Sequence, residues 1–302
     1  MIRAGVIRNR MSHRNRRVTP SPPPDDVLDI VPEDESELFG GLRHMASEGV
    51  NLVIVDGGDG TVREVLTRLP EAFGGRIPRL AVSPNGKTNA LALDLGVPLG
   101  ASLERLMNAA RDGGRIKRRH CLEVLRPGLA LPERRGFLFG LGAFLRGTEL
   151  AQRTHASGFI DNAAIGLTLA GAIAKTLFGG PDEQWRRGVP VRASFDGGEP
   201  RARFILMAST LERLPLGLKP FGEPGEGLKL LSVDAPPRRL LAALPAILTG
   251  RDAPWLSASG YRRERLAEFA LDFADDFVLD GEVFEGGDLS VRQGPELEFV
   301  VP

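Results

Sequence analysis

Cysteine is almost missing from this sequence. Cys121 is the only one in 302 residues, which excludes an internal disulfide framework and a multi-cysteine metal site. Lysine is scarce as well: Lys87, Lys117, Lys175, Lys219 and Lys229 are the only lysines among 39 cations, the rest being Arg. Excess charge of either sign is absent, because 39 basic residues face 39 acidic ones. That balance argues against a protein whose main task is to neutralise nucleic-acid phosphates, while leaving a local basic patch open. No apolar run reaches 18 residues, so no membrane-spanning helix is expected. Arg3, Arg8 and Arg10 are not followed by an apolar stretch of the kind a secretory signal needs. His13, His44, His120 and His155 lack metal-ligand spacing and read as structural. The expectation is a soluble protein with a cytoplasmic location.

What is present is a chain 42% apolar and 26% charged, able to bury a sizeable core. At roughly 100–200 residues per domain, two domains are the natural division. Residues 2–7 read as a short first strand. An Arg-rich stretch over 8–17 and a Pro-rich loop over 18–26 follow, and Pro20, Pro22, Pro23 and Pro24 exclude a helix there. Val27–Val31 reads as a second strand. A helix capped by Asp34 or Ser36 runs to about Glu48 and ends at Gly49. Leu52-Val53-Ile54-Val55 is an uninterrupted apolar run, as a parallel strand covered on both faces requires. Val62, Val65, Leu66 and Leu69 then form a single helical stripe. Leu80–Ser83 reads as a strand, with helices from Ala90 and over Leu103–Arg111. Alternating strand, loop and helix predicts a parallel α/β domain over 1–115.

The texture changes after Arg115. Short β-rich segments stand at 119–126, 136–145, 190–196, 201–210, 228–234, 268–273, 276–280 and 296–301, with a hairpin turn at Asp196-Gly197-Gly198. Apolar helical stretches at 159–178 and 238–249 interrupt them. Residues 116–302 are therefore expected to form an antiparallel β domain with inserted helices, whose last strand returns to the first domain or stays in the second.

Between the apolar strand and the striped helix lies Asp56-Gly57-Gly58-Asp59-Gly60-Thr61. Glycines there let the backbone reach positive φ and approach a ligand closely. Their N–H groups and the helix N-terminus offer positive partial charge to a phosphate. Asp59 would repel a bare phosphate. It makes sense if it holds Mg²⁺ or orients a reacting hydroxyl. The alternative is a tight turn with an Asp cap.

Gly57-Gly58-Asp59-Gly60-Thr61-Val62-Arg63-Glu64-Val65 resembles the signature of the diacylglycerol kinase catalytic-domain family. That family includes bacterial diacylglycerol kinases, sphingosine kinases and ceramide kinases, and it shares Gly-Gly-Asp-Gly with NAD kinases and phosphofructokinases. Asn9 and Ser12 resemble the family's first phosphate-contacting loop. Pro84-Asn85-Gly86-Lys87-Thr88-Asn89 resembles its Pro-x-Gly-Thr-x-Asn-Asp loop, and Asp280-Gly281-Glu282 its Asp-Gly-Glu. The resemblance implies an α/β nucleotide-binding domain and a β-sandwich domain, with ATP and lipid meeting between them. It implies ATP contacts from Asn9, Ser12, Gly57, Gly58, Gly60, Thr61, Glu64, Gly86, Lys87, Thr88 and Asn89. Asp59 would be linked to Mg²⁺ through the nucleotide, Glu282 would be the general base, and Asp280 an orienting or metal-linked carboxylate. An alcohol attacking a γ-phosphate needs such an acceptor. Read on its own, Asp280-Gly281 is also an ordinary β-turn.

Other features leave two readings open. At least one of Arg8, Arg10 or Arg14 contacts the nucleotide, or the stretch is a solvated basic surface or a contact to anionic lipid. Lys87, where the family has Thr, reaches a phosphate or stays on the surface. The 159–178 segment covers the β domain or forms a lip of a lipid groove resting on a membrane. Trp185-Arg186-Arg187 and Trp255 are candidate interfacial anchors. Departures from the family are specific: Asn-Asp becomes Asn89-Ala90, an expected Asp is missing near His120, and Glu226-Gly227-Leu228 replaces an Asp-Gly-aromatic turn that holds a structural Mg²⁺. The expected activity is transfer of the ATP γ-phosphate to the primary hydroxyl of a two-chain lipid, ceramide ahead of diacylglycerol. The alternatives are an NAD kinase-like enzyme with a soluble substrate and a non-catalytic nucleotide-binding module.

Overall fold

A computed structural model describes residues 2–16, 23–155, 184–223, 225 and 227–302. The chain divides into two units. The first takes Met1–Cys121, Glu133–Gly136 and Gly294–Pro302, and the second Leu122–Pro132 and Phe137–Gln293.

The first unit begins β1 (Ala4–Arg8), β2 (Leu28–Ile30), α1 (Glu35–Ser47), β3 (Leu52–Gly57), α2 (Asp59–Ala72), β4 (Arg79–Pro84), α3 (Ala90–Leu95) and α4 (Leu103–Arg111). β1 pairs in parallel with both β2 and β3, and β3 with β4. Every residue of β3 is buried, which is why its apolar run has no polar alternation. The stripe of α2 is buried over Val62, Val65, Leu66 and Leu69. Asp34 caps α1, its Oδ1 accepting the Glu37 N–H at 2.9 Å, and Gly49 at φ +70° closes the helix. β5 (Arg115–Leu125) then crosses into the second unit, and β6 (Arg134–Gly136) returns to the first.

The second unit contains β7 (Leu138–Gly142), α5 (Ala143–His155), α6 (Gln184–Arg187), β8 (Val189–Ala193), β9 (Pro200–Ser209), β10 (Leu228–Asp234), α7 (Leu240–Thr249), α8 (Pro254–Ala258), β11 (Tyr261–Leu266), β12 (Glu268–Phe273), β13 (Phe277–Leu279) and β14 (Glu282–Phe284). Its pairings are antiparallel: β9 lies beside β7, β8 and β10, β10 beside β11, β12 beside β8, and β13 beside β7 and β14. β12 alternates buried and exposed residues along its length, the period of a half-covered strand. The long final strand β15 (Gly287–Val301) starts antiparallel to β12 and ends in the first unit, where Phe299 sits opposite Leu80 of β4 in parallel register.

Two expectations shift. The strand expected over 136–145 stops at Gly142, which sits at φ +70°, and α5 follows at once. β11 is a strand the residue pattern does not reveal, because Arg262, Arg263, Glu264 and Arg265 break any apolar alternation. Its backbone pairs with β10, and Arg263 donates to the carbonyls of Pro220, Ala246 and Ile247. Residues 17–22 of the Arg- and Pro-rich stretches, the apolar 159–178 segment, Glu226 and the side chains of Trp185 and His155 lie outside the described residues. Among the described residues, no helix is long and apolar enough to cross a membrane.

The second unit's core is centred on aromatic rings. Phe277 lies 5.0 Å from Phe139, 5.6 Å from Phe284 and 6.4 Å from Phe273, centroid to centroid. Phe277 is fully buried. Phe277→Ala should lower the stability of the second unit by about 3–5 kcal/mol, read as a shifted urea midpoint. A loss below about 1 kcal/mol would mean that the ring cluster is not the core of that unit.

Candidate phosphate-binding site

The site grows from the C-terminal end of β3, where Asp56 is buried. Its Oδ2 accepts the Arg8 guanidinium at 3.1 Å, and its Oδ1 accepts the Asn15 side-chain amide at 3.1 Å and that of Asn85. Its backbone carbonyl accepts the Asn9 N–H at 3.0 Å. One carboxylate thus ties together the loop after β1, the loop after β3 and the loop after β4. Two backbone bonds reinforce the join: Arg14 N–H to the Asn85 carbonyl and Asn85 N–H to the Gly57 carbonyl, each at 3.0 Å. A buried carboxylate is tolerable when it is paired and fully hydrogen-bonded, as here. Arg8 also reaches Asp29 of β2 at 3.2 Å. Arg8 is therefore committed to the scaffold, whereas Arg10 and Arg14 have exposed side chains.

The glycines act by closeness. None of Gly57, Gly58, Gly60 or Gly86 has a positive φ, so the expectation of left-handed backbone in this loop is corrected. A Cβ on Gly58 would stand 2.8 Å from the Gly86 Cα, and a Cβ on Gly86 would strike the Gly58 Cα. The two loops touch backbone to backbone. A Cβ on Gly57 would meet Thr61 Oγ1 at 2.5 Å. Gly58 caps α2 without any side chain, so the first-turn N–H groups of that helix have no side-chain acceptor. Thr61 Oγ1 accepts the Asn9 side-chain amide at 2.9 Å, and the Asn9 Oδ1 accepts the Met11 N–H at 2.8 Å. Ser12 is buried in this loop, and its hydroxyl has no hydrogen-bond partner among the described residues. An orphaned buried hydroxyl in the loop that Asn9 ties to Thr61, and a helix start with no side-chain cap, fit a phosphate-bearing ligand such as ATP.

The loop after β4 is closed by Asn89. Its Oδ1 accepts the Gly86 N–H at 2.8 Å and its amide donates to the Gly86 carbonyl at 3.0 Å, with Asn89 itself at φ +50°. Lys87 and Thr88 are exposed on that loop. Glu64 accepts the buried Arg63 guanidinium at 2.8 Å, so it holds a core arginine in place.

Asp59 has a role that the sequence does not reveal. Its two oxygens accept the N–H groups of Ala90 at 3.0 Å and Leu91 at 3.2 Å, so from the first turn of α2 it caps α3. Burial raises its pKa above the ordinary 3.8, against the lowering effect of the Ala90, Leu91 and Asn89 N–H groups. The residue after Asn89 is Ala90, and its backbone rather than a second carboxylate faces Asp59. Among the described residues no group of three His, Cys, Asp or Glu is gathered for a metal. Mg²⁺ carried in by nucleotide phosphates keeps few protein ligands, so a single carboxylate such as Asp59 would be enough to meet it. Asp94 in α3, fully buried, pairs with Arg119 at 2.6 Å, and His120 Nδ1 lies 2.9 Å from the Gly294 carbonyl.

In the second unit, Asp280 and Gly281 form a two-residue hairpin turn between β13 and β14, with φ of +48° and +85°. The Asp280 carboxylate accepts the N–H groups of Phe137 and Leu138 at 2.9–3.1 Å, and its own N–H donates to the Leu138 carbonyl at 2.9 Å. Asp280 thereby fixes the hairpin to the start of β7. Glu282, opening β14 opposite Leu279, is exposed. Asp56 and Asn85 stand inside the two loop motifs, but their linking role, and that of Asn15, has no signature in residue order. Asp56 differs from any strand-end Asp only in being buried, which residue types do not record.

Known proteins resemble this chain in keeping with that geometry. Residues 16–120 match the diacylglycerol kinase catalytic domain family. A probable lipid kinase YegS of Escherichia fergusonii is 39% identical over 69 residues, which are 23% of this chain and 22% of that one. A probable lipid kinase YegS-like protein of Citrobacter koseri is 37% identical over 68 residues, 22% of each chain. The matched segment thus spans about a fifth of the relatives' length. A candidate diacylglycerol kinase of Bacillus anthracis superposes with a TM-score of 0.68 at 16% identity, over 99% of this chain and 97% of that one. A further diacylglycerol kinase structure from the same organism gives 0.61 at 15% identity, with the same coverage. The superposition establishes the fold: an α/β unit with parallel strands and an antiparallel β-rich unit. The family match thus concerns residues 16–120, and the superpositions speak for the fold alone.

Three outcomes are expected. Asp56→Ala takes one of two carboxylates from the buried Arg8 and the acceptor from the Asn15 and Asn85 amides, and should cost about 3 kcal/mol or more in urea unfolding. A loss under about 1 kcal/mol would remove Asp56 from the scaffold. Gly86→Ala should weaken ATP binding about tenfold or more in calorimetry, because the loops must separate; unchanged affinity would show that the contact is irrelevant to the ligand. The folded pKa of Asp59 lies above its unfolded value. Its contribution to stability is therefore full below pH 3.8 and is lost as pH rises through the raised folded value. Asp59→Asn should remove that component from a stability–pH profile, and an unaltered profile would contradict it.

Proposed function

We propose that the chain is an ATP-dependent lipid kinase that phosphorylates the primary hydroxyl of a neutral two-chain lipid. The observation that carries this reading is the joined set of three loops around Asp56. The touching glycines, the uncapped α2 and the unpartnered Ser12 hydroxyl suit a triphosphate. The kinship of residues 16–120 with diacylglycerol kinase catalytic domains supports the same chemistry.

In this reading the backbone of Gly57–Thr61 and the loop at Gly86–Asn89 hold the phosphates, with Asn9 fixing Thr61. Asp59 holds the start of α3 against the phosphate loop and offers a carboxylate to the cation. Mg²⁺, when bound with the nucleotide, would neutralise developing charge on the transferred phosphoryl group. Glu282 takes the proton from the lipid hydroxyl. Asp280 positions Glu282 by anchoring the hairpin that carries it. Ceramide and diacylglycerol both present a primary hydroxyl beside two chains. The replacement of the family's second carboxylate by Ala90 favours a substrate other than the usual diacylglycerol, and so a sphingolipid of the ceramide type. Action on such a lipid requires peripheral contact with a membrane surface.

The test is phosphate transfer from labelled ATP with Mg²⁺ to detergent-dispersed ceramide, diacylglycerol and sphingoid base, with NAD as a soluble control. Label should enter a lipid, and Glu282→Gln should lower kcat about 10²–10⁴-fold without changing ATP affinity. Label on NAD alone would move the protein to the soluble branch. ATP binding with no transfer to any acceptor would leave a nucleotide-binding module.

A further inference from the structure

The second unit carries a cavity of about 460 Å³, remote in sequence from the Asp-Gly-Glu hairpin. It lies where the ends of β9, β10 and β11 meet the segment before α7 and the end of α8. Three guanidinium-bearing residues line it, Arg201, Arg238 and Arg262, together with Asp234, Ser259 and Gly260.

The charges there are unequal in their commitments. Asp234 pairs with Arg203, which is wholly buried and also pairs with Asp196. Arg262 pairs with Asp196 at 2.6 Å. Glu264 faces Arg203 from β11. Arg203 and Arg262 thus answer Asp196 and Asp234, and Glu264 is a third acid close to Arg203. Arg201 and Arg238 are exposed and make no ion pair or side-chain hydrogen bond among the described residues. Four guanidinium groups thus stand against three carboxylates, and the two exposed ones, Arg201 and Arg238, are held by no ion pair among the described residues, next to Arg262, which shares Asp196 with Arg203.

Their placement is supported from below. Tyr261 donates its hydroxyl to the Arg238 carbonyl at 2.9 Å, fixing the backbone that carries this arginine. Burial pushes the Tyr261 pKa up to about 12, so the hydroxyl remains a donor at neutral pH. Gly260, at φ +87°, lets the chain pass against Asp234, where a Cβ would stand 2.8 Å from the Asp234 carboxylate. Forked cations around a concave polar wall match the tetrahedral oxygens of a phosphate group.

We propose that this cavity is a second anion site, binding a phosphate group through Arg201 and Arg238 with Arg262 behind them. The phosphate comes from the headgroup of an acidic phospholipid or from a soluble phosphate ester. A lipid source is consistent with α7, the helix that follows Arg238: it is apolar from Leu240 to Leu248, and its Leu241 is 64% exposed.

The full chain is tested without nucleotide. One arm measures co-sedimentation with vesicles of equal parts phosphatidylcholine and phosphatidic acid, against phosphatidylcholine alone. The other measures binding of inorganic phosphate and glycerol 3-phosphate by calorimetry. The double variant R201Q/R238Q alters only exposed side chains, and circular dichroism checks its fold. Binding in either arm that falls about tenfold or more in the double variant supports the site, and the arm in which it falls names the source. Asp59→Ala should retain that binding while losing phosphate transfer, which separates failure of this site from failure of the kinase reading. No binding in either arm, or binding that the double variant leaves unchanged, overturns the proposal.

Discussion

The first unit's site depends on one buried carboxylate. Asp56 lies at the end of a strand with no exposed residue, and each of its oxygens is spoken for. Three loops arrive at the same edge of the parallel sheet from β1, β3 and β4. Their backbones would otherwise be free to drift apart, since loops carry few packing contacts of their own. Arg8 neutralises the carboxylate, while Asn15 and Asn85 supply its remaining donors from two different loops. The arrangement sits at the carboxyl ends of parallel strands, where open α/β sheets place their ligands.

Once the loops are joined, glycine decides how close they come. Gly58 and Gly86 touch through their backbones, a contact that no side-chain-bearing residue permits. That closeness leaves the start of α2 without a side-chain cap and brings Asp59 onto the N-terminus of α3. Asp59 is therefore both a capping group and the acid nearest the helix start. Burial raises its pKa, so a cation delivered with a nucleotide would offset an existing electrostatic cost. In the second unit the same economy of carboxylates appears in Asp280, whose oxygens hold the β7 backbone while its neighbour Glu282 stays exposed.

Much of the architecture was legible from residue order. The apolar run 52–55, the stripe of Val62, Val65, Leu66 and Leu69, and the alternation over 268–273 each carry the period of their element. The Gly-Gly-Asp-Gly loop and the Asp-Gly-Glu turn were legible because glycine and paired acids are rare in such settings. Harder to see was how side chains would be spent. Arg8 looked like a nucleotide clamp and is held by Asp56 and Asp29. Glu64, a candidate nucleotide ligand, accepts the buried Arg63 guanidinium. Asp56 and Asn85 looked like ordinary loop residues and knit the site. β11 was hidden because its charged run breaks any apolar alternation, while Arg263 is satisfied by carbonyls elsewhere in the chain and Arg262 by Asp196. Periodicity reports which face is covered, and hydrogen-bond partners far along the chain leave no trace in it.

The central claim is that the three loops joined at Asp56 receive the phosphates of a nucleotide. Amide hydrogen exchange of the full chain, with and without ATP and Mg²⁺, tests it most directly. Exchange should slow at Asn9–Ser12, Gly57–Thr61 and Gly86–Asn89 when the nucleotide is added. Protection that falls elsewhere while these three segments exchange unchanged would contradict the account.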